Sequence, residues 1–193
     1  MAIYAGRVTE PVVVPSAHAL RALSHPLRLR LLGLLRIDGP STATSLAART
    51  GTSSGATSYH LRQLAAHGFV EEAEGDGDAR TRWWRAVHRS TSTSAPRDTD
   101  ELAAVDAFGQ AVAVVHAEQL QRAVEEYPLL PQEWRAASTL SDWVRRLRPE
   151  QARALTEQLV DLLTAVEDDD HPDARPFSVR VHANPWPGSV TDA

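Results

Sequence analysis

The 193-residue chain has no cysteine. Disulfides and thiolate metal sites are therefore excluded, and a reducing compartment is the simplest setting. It has no lysine either: all 20 basic residues are arginine, an imbalance that GC-rich codon usage explains more simply than function does. No apolar run approaches the roughly 20 residues that a membrane helix needs. One of the longer runs, Ala111 to Val115, belongs to an amphipathic segment. The opening stretch MAIYAGRVTEPVVVP lacks a positive region followed by a long apolar core, so no secretory signal is predicted. Together these absences predict a cytoplasmic protein with no membrane partner. GxSxG, Walker and GxGxxG motifs are also missing, and Gly75-Asp76-Gly77 reads as a hairpin turn rather than a phosphate loop. The expectation is a protein that is not an enzyme, with no catalytic residues and no cofactor.

What is present is unevenly distributed. Hydrophobic residues make up 42% of the chain, enough for a real core. Residues 1–97 hold 12 arginines against 7 acidic residues, a balance of +5, and residues 98–193 hold 8 against 18, a balance of −10, which together give the net −5 of the chain. A basic half joined to an acidic half suggests that only the first meets a polyanion.

Periodicity and punctuation divide the chain into four parts. Residues 1–15 form an N-terminal arm in which Val12-Val13-Val14, between Pro11 and Pro15, is either a short strand or extended chain. Residues 16–90 read as three helices and a hairpin. Leu20 and Leu23, then Leu27, Leu31, Leu34 and Leu35 recur at helical spacing, with Ser24-His25-Pro26 ending one helix and starting the next. The arginines of this stretch (Arg21, Arg28, Arg30 and Arg36) are read as a solvated face. Ser41 or Thr42 caps a further helix that stops at Gly51, and Thr52 or Ser53 caps another from Ser54 to about His67, stopped by Gly68. The pair has the size and glycine-bearing turn of a helix-turn-helix. Phe69 to Glu74 and Thr81 to Arg89 are predicted strands around the turn Gly75-Asp76-Gly77-Asp78, with Trp83 and Trp84 on opposite faces.

Residues 91–97 are a Ser/Thr-rich linker. Residues 98–193 form a helical extension. Asp98 to Tyr127 is one long predicted helix of about 45 Å, long enough to outreach a small domain and pair with a partner. Shorter helices are expected at Ser138 to Leu147, burying Leu140, Trp143 or Val144, and Leu147, and from Pro149, with Leu155, Leu159, Leu162 and Val166 as its stripe. A strand is expected at Phe177 to Val181. This half is read as dimer core in preference to a pocket enclosed by Trp134, Trp143, Phe177 and Trp186 for a small-molecule effector.

The chemistry is concentrated in the helix from Ser54. Small residues at its start allow close approach to a groove, hydroxyls can donate to phosphates or base edges, and Arg62 and Gln63 can address guanine and adenine. The span from about Ser16 to Arg89 resembles the winged-helix domain of ArsR-like bacterial transcription regulators. The resemblance is carried by Leu23-Ser24-His25-Pro26-Leu27-Arg28-Leu29-Arg30-Leu31-Leu32, by Thr57-Ser58-Tyr59-His60-Leu61-Arg62-Gln63-Leu64, and by His67-Gly68-Phe69-Val70. It implies a homodimer bound to an inverted-repeat operator in double-stranded DNA. Ser54, Thr57, Ser58, Tyr59 and Arg62 would then face the DNA, His60 and Gln63 would belong to the same surface, and Arg80 and Arg82 would reach out from the wing. His60 is read as structural or phosphate-contacting.

Metal-sensing members of that family use thiolates that this chain lacks. Its eight histidines (His18, His25, His60, His67, His88, His116, His171 and His182) show no i, i+4 pairing, so no metal site is expected. The acidic run Asp168-Asp169-Asp170-His171 reads as a solvated helix end. The fold class expected is therefore mainly α with a small β-wing, a winged helix-turn-helix domain plus a C-terminal helical dimerisation or sensing extension. Its function would be sequence-specific transcription regulation, with a winged-helix interaction or scaffold protein lacking DNA binding as the alternative.

Overall fold

A computed structural model describes residues 12–74, 81–169 and 171–190. Most of the N-terminal arm, the Gly75–Asp78 turn, Arg80 and Asp170 lie outside the described residues. The chain divides into two compact units, the first ending at Leu140 and the second beginning at Ser141. The 91–97 segment and the long helix after it fall within the first unit, so the compact division comes some forty residues after the expected linker.

In the first unit, strand β1 (Val12–Val13) is followed by α1 (Ala17–Leu23) and α2 (Pro26–Asp38). Ser16 caps α1, its hydroxyl accepting from the Ala19 N–H at 3.3 Å. The Ser-His-Pro triplet works as its chemistry predicts. His25 is the N-cap of α2, its Nδ1 accepting from the Leu27 N–H at 3.2 Å, and Pro26 takes the first helical position, where no donor is needed. Then come β2 (Ser41–Thr42), α3 (Ala43–Thr50), α4 (Ser54–Ala66), β3 (Val70–Ala73), β4 (Trp83–Ala86), β5 (Ser90–Thr91) and α5 (Thr99–Glu126). Thr42 caps α3 and Ser53 caps α4. Gly51, at φ 65°, and Gly68, at φ 73°, end these helices in the left-handed region that glycine occupies at least cost.

Strands β2, β4 and β3 form an antiparallel sheet in that order, with Glu72 opposite Trp84 and Ala73 opposite Trp83. This is the expected wing. β1 runs parallel to β5, so Val12-Val13 is a strand that ties the arm to the segment after the wing. The core gathers Leu23, Leu27, Leu31, Leu32 and Leu35 from α1 and α2, Leu46 from α3, Leu61 and Leu64 from α4, and Phe69, Val70 and Trp84 from the wing. Of the two adjacent tryptophans, Trp84 is the core residue, 3% exposed. Trp83, on the opposite face, is half-buried.

α5 begins with Asp98 as its cap and packs against α1 and α2 through Ala104, Ala111 and Val115. Two arginines expected on a solvated face fasten it: Arg21 pairs with Asp100, and Arg30 donates to Glu118 at 2.9 Å. Arg36 also turns inward, donating to the His88 carbonyl and the Thr91 hydroxyl, both at 2.8 Å. Burial pulls its pKa down to about 10, which leaves it charged near neutrality. Leu102, Val114, Leu120 and Val124 of α5 are exposed.

A short 3-10 turn at Tyr127–Leu129 and α6 (Gln132–Ala137) complete the first unit's helices. The helix expected at 138–147 is absent, and α6 lies just before it. Pro131 starts α6 early by fixing the backbone at its N-cap, and Ser138 adopts an extended backbone at its end, its hydroxyl donating to the Trp134 carbonyl at 2.7 Å. Leu140, Trp143, Val144 and Leu147 are exposed rather than buried.

In the second unit the described helix is α7 (Pro149–Thr164), opened by Pro149 and by Gln151, whose side chain accepts from the Arg148 N–H at 3.0 Å. Its Leu155 and Leu162, and Val166 beyond it, are exposed. Residues 177–181 form no strand. Alternation alone does not make one, because a strand exists only where a neighbour completes its ladder. Phe177, Trp143 and Trp186 are exposed. No described helix is long and apolar enough to cross a membrane.

Candidate nucleic-acid interface

α4 has two faces. Thr57, Leu61 and Leu64, spaced four and three residues apart, are buried against α1, α2 and α3. Gly55, Tyr59, Arg62 and Ala66, on the opposite stripe, are exposed together with Ser54. The start of the helix is open: a Cβ placed on Gly55 would meet nothing within 4 Å. Packing within the fold therefore does not require glycine there.

The predicted site residues separate along these faces. Ser54, Tyr59 and Arg62 are exposed, and Ser58, His60 and Gln63 are half-buried beside them. Arg62 lies back along its own helix, its Nε donating to the Ser58 carbonyl at 3.2 Å, and would have to swing outward to reach a ligand. Arg82 is exposed just before β4, 3.2 Å from Glu72 and with its guanidinium 5.8 Å from the Trp84 ring centroid. Arg80 is among the residues not described.

Thr57 requires correction, because it is wholly buried. Its hydroxyl lies 2.9 Å from that of Thr52, which in turn lies 3.0 Å from that of Thr50, and Thr50 donates to the Leu46 carbonyl at 2.8 Å. This chain of hydroxyls staples the turn between α3 and α4. Thr57 therefore fixes how α4 is presented, and cannot itself touch a ligand.

The histidines also depart from expectation. Lacking i, i+4 pairs, they pair across helices. The His25 and His60 rings lie 4.5 Å apart between centroids and the His18 and His67 rings 4.8 Å. Arg28 donates from Nε to His60 Nδ1 at 3.3 Å and from Nη1 to the Ala22 carbonyl at 2.7 Å, joining the end of α1 and the middle of α4 to α2. Burial, then His25, then Arg28 hold the His60 pKa below its ordinary value. Burial, then His18, then Arg28 do the same for His67. Among the described residues, no group of three or more His, Asp or Glu side chains is placed to hold a metal ion.

Residues 23–73 match the model of a helix-turn-helix domain. That span covers α2, α3, α4 and β3. This part of the chain is a helix-turn-helix domain, with β3 and β4 as the wing beside it. No curated protein matches the chain.

Several solved structures are similar. The homodimeric winged helix-turn-helix DNA-binding domain of Mb0332 from Mycobacterium bovis, a possible ArsR-family regulator, is 27% identical over 53% of this chain and 82% of that one, with a TM-score of 0.33. An ArsR-like transcriptional regulator from Rhodococcus sp. RHA1 is 23% identical over 60% and 93%, with a TM-score of 0.32. A mutant MarR from E. coli complexed with operator DNA is 17% identical over 76% and 86%, with a TM-score of 0.31. TM-scores this low fall short of a shared whole-chain fold.

Proposed function

We propose that the protein is a transcriptional regulator that binds duplex DNA through the outer stripe of α4 and the wing, and acts as a homodimer on an inverted-repeat operator. The observation that carries this reading is the division of α4. Its inner face is fixed by Leu61, Leu64 and the threonine staple, while Ser54, Gly55, Tyr59 and Arg62 face solvent from a start that the fold leaves open. A helix that is rigidly seated, small at its N-terminus and donor-rich on its outer face suits entry into a major groove. Arg82 stands on the wing to add a backbone or minor-groove contact, and Ser58, His60 and Gln63 border the same surface.

The dimer is supported by α5. Its 28 residues span about 42 Å, and they keep Leu102, Val114, Leu120 and Val124 exposed after packing on α1 and α2. Exposed apolar residues along so long a helix suit a second copy better than solvent. Two subunits would present two α4 helices to successive turns of the duplex, which calls for an inverted repeat. Nothing in the described residues favours an effector over plain dimer core.

A mobility-shift titration tests the placement of the interface. Arg62→Ala is expected to weaken operator binding by about 1–3 kcal/mol, whereas Arg153→Ala on α7 leaves it unchanged. Equal losses would contradict the placement.

A further inference from the structure

We propose that His25 and His60 form an acid-sensitive latch that holds α4 against the corner between α1 and α2, and that loosens when either ring takes up a second proton. Both rings use Nδ1 as an acceptor. His25 Nδ1 receives the Leu27 N–H and so caps α2, and His60 Nδ1 receives Nε–H of Arg28, which also grips the Ala22 carbonyl. A neutral imidazole whose Nδ1 accepts carries its proton on Nε2, and a protonated one has no acceptor left. Protonation of His25 therefore removes the α2 cap, and protonation of His60 removes the Arg28 bond. Each event also sets a positive charge beside the other ring, 4.5 Å away between centroids, and a proton on His60 sets it against the Arg28 guanidinium as well.

The same tautomer argues against a metal at this pair, since neither nitrogen of either neutral ring keeps a free lone pair.

Among the described residues, no carboxylate contributes to the field at His60. His60 feels burial, His25 and Arg28, in that order. Of the other charged groups on the elements around α4, Arg49 of α3 pairs with Asp38, Glu71 and Glu72 of β3 with Arg85 and Arg82, Arg21 of α1 with Asp100, and Arg30 of α2 with Glu118. Arg36 of α2 donates to His88 and Thr91. On α4 itself Tyr59 abuts His60 edge-on and Arg62 bonds the Ser58 carbonyl. The second pair, His18 and His67, adds a further ring contact between α1 and the end of α4, where His67 is likewise held below its ordinary value.

The sign is fixed by the direction of the shift. His60 is held below its ordinary 6.5 in the folded chain. The stability it confers is therefore present above that value and lost as pH falls from there through the folded value. Any effect on DNA rests on the reading of α4 given above. The latch itself is tested without DNA, so that its failure and the failure of that reading are distinguishable.

The test compares thermal midpoints of the full chain at about pH 7.5 and about pH 5.5 with those of the double variant His25→Asn, His60→Gln. Asn is a good N-cap and the Gln carbonyl can accept from Arg28, so both hydrogen bonds can persist without a titrating ring. His18, His67 and every carboxylate are common to both proteins. The expected result is a drop of the midpoint on acidification in the unaltered chain that is clearly smaller in the variant. An equal drop in the two overturns the latch. Should the variant not fold, long-range proton–nitrogen NMR of the unaltered chain decides: both rings must carry their proton on Nε2 at neutral pH, and a proton on Nδ1 of His60 overturns the latch.

Discussion

The hydroxyl of Thr57 lies 2.9 Å from that of Thr52 and is closed to solvent. Thr57→Val keeps the shape and removes that hydrogen-bonding group. The variant is expected to lose about 1–2 kcal/mol of stability in urea denaturation, because Thr52 is left with a poorer set of partners. Were Thr57 a base contact instead, stability would stay and only DNA binding would fall. From the sequence, Thr57 is indistinguishable from Ser54 or Ser58, since all three are small hydroxyl residues in the first turn or two of a polar helix. What separates them is which stripe of α4 packs against α1, α2 and α3, and that becomes visible only once the helix is docked. The histidines repeat the point. His25 before Pro26 is legible as part of a helix boundary, but its partner His60 lies 35 residues along the chain, too far for any spacing rule. The arginines of α1 and α2 likewise look like solvated charges until α5 supplies Asp100 and Glu118.

Helices with strong local punctuation were readable in advance. Ser16, the Ser-His-Pro triplet, Thr42, Ser53, Gly51 and Gly68 fix the ends of α1 to α4 within a residue or two, because caps and left-handed stops act through neighbouring backbone groups. Asp98 does the same for α5. The expectations at 138–147 and 177–181 rest on apolar periodicity. Periodicity states which residues would share a face if an element formed, and a face with no partner confers no stability. Leu140, Trp143 and Phe177 are exposed, which is why it misled there.

On α5, Gly109 is exposed within the helix and a Cβ there would meet nothing within 4 Å. Gly109→Ala is therefore expected to raise stability by about 0.5–1 kcal/mol through backbone entropy alone. A loss of stability in chemical denaturation would instead mean that another surface packs closely against that glycine.

The balance of charge between the halves, +5 over residues 1–97 and −10 over residues 98–193, is a property no single element holds. It places the field that attracts a polyanion on the part of the chain containing α4 and the wing, while the acidic remainder discourages binding anywhere else. Affinity that comes from arginine–phosphate contacts falls steeply with salt, whereas a scaffold protein that kept the winged fold without using it would show no such dependence. The measurement that separates these is selection of bound duplexes from a random pool by the purified protein, followed by a salt titration on the enriched sequence. Binding through paired α4 helices predicts enrichment of an inverted repeat with half-sites about one helical turn apart and an affinity that drops linearly on logarithmic axes as salt rises. Recovery of no common sequence, or binding indifferent to salt, would contradict it.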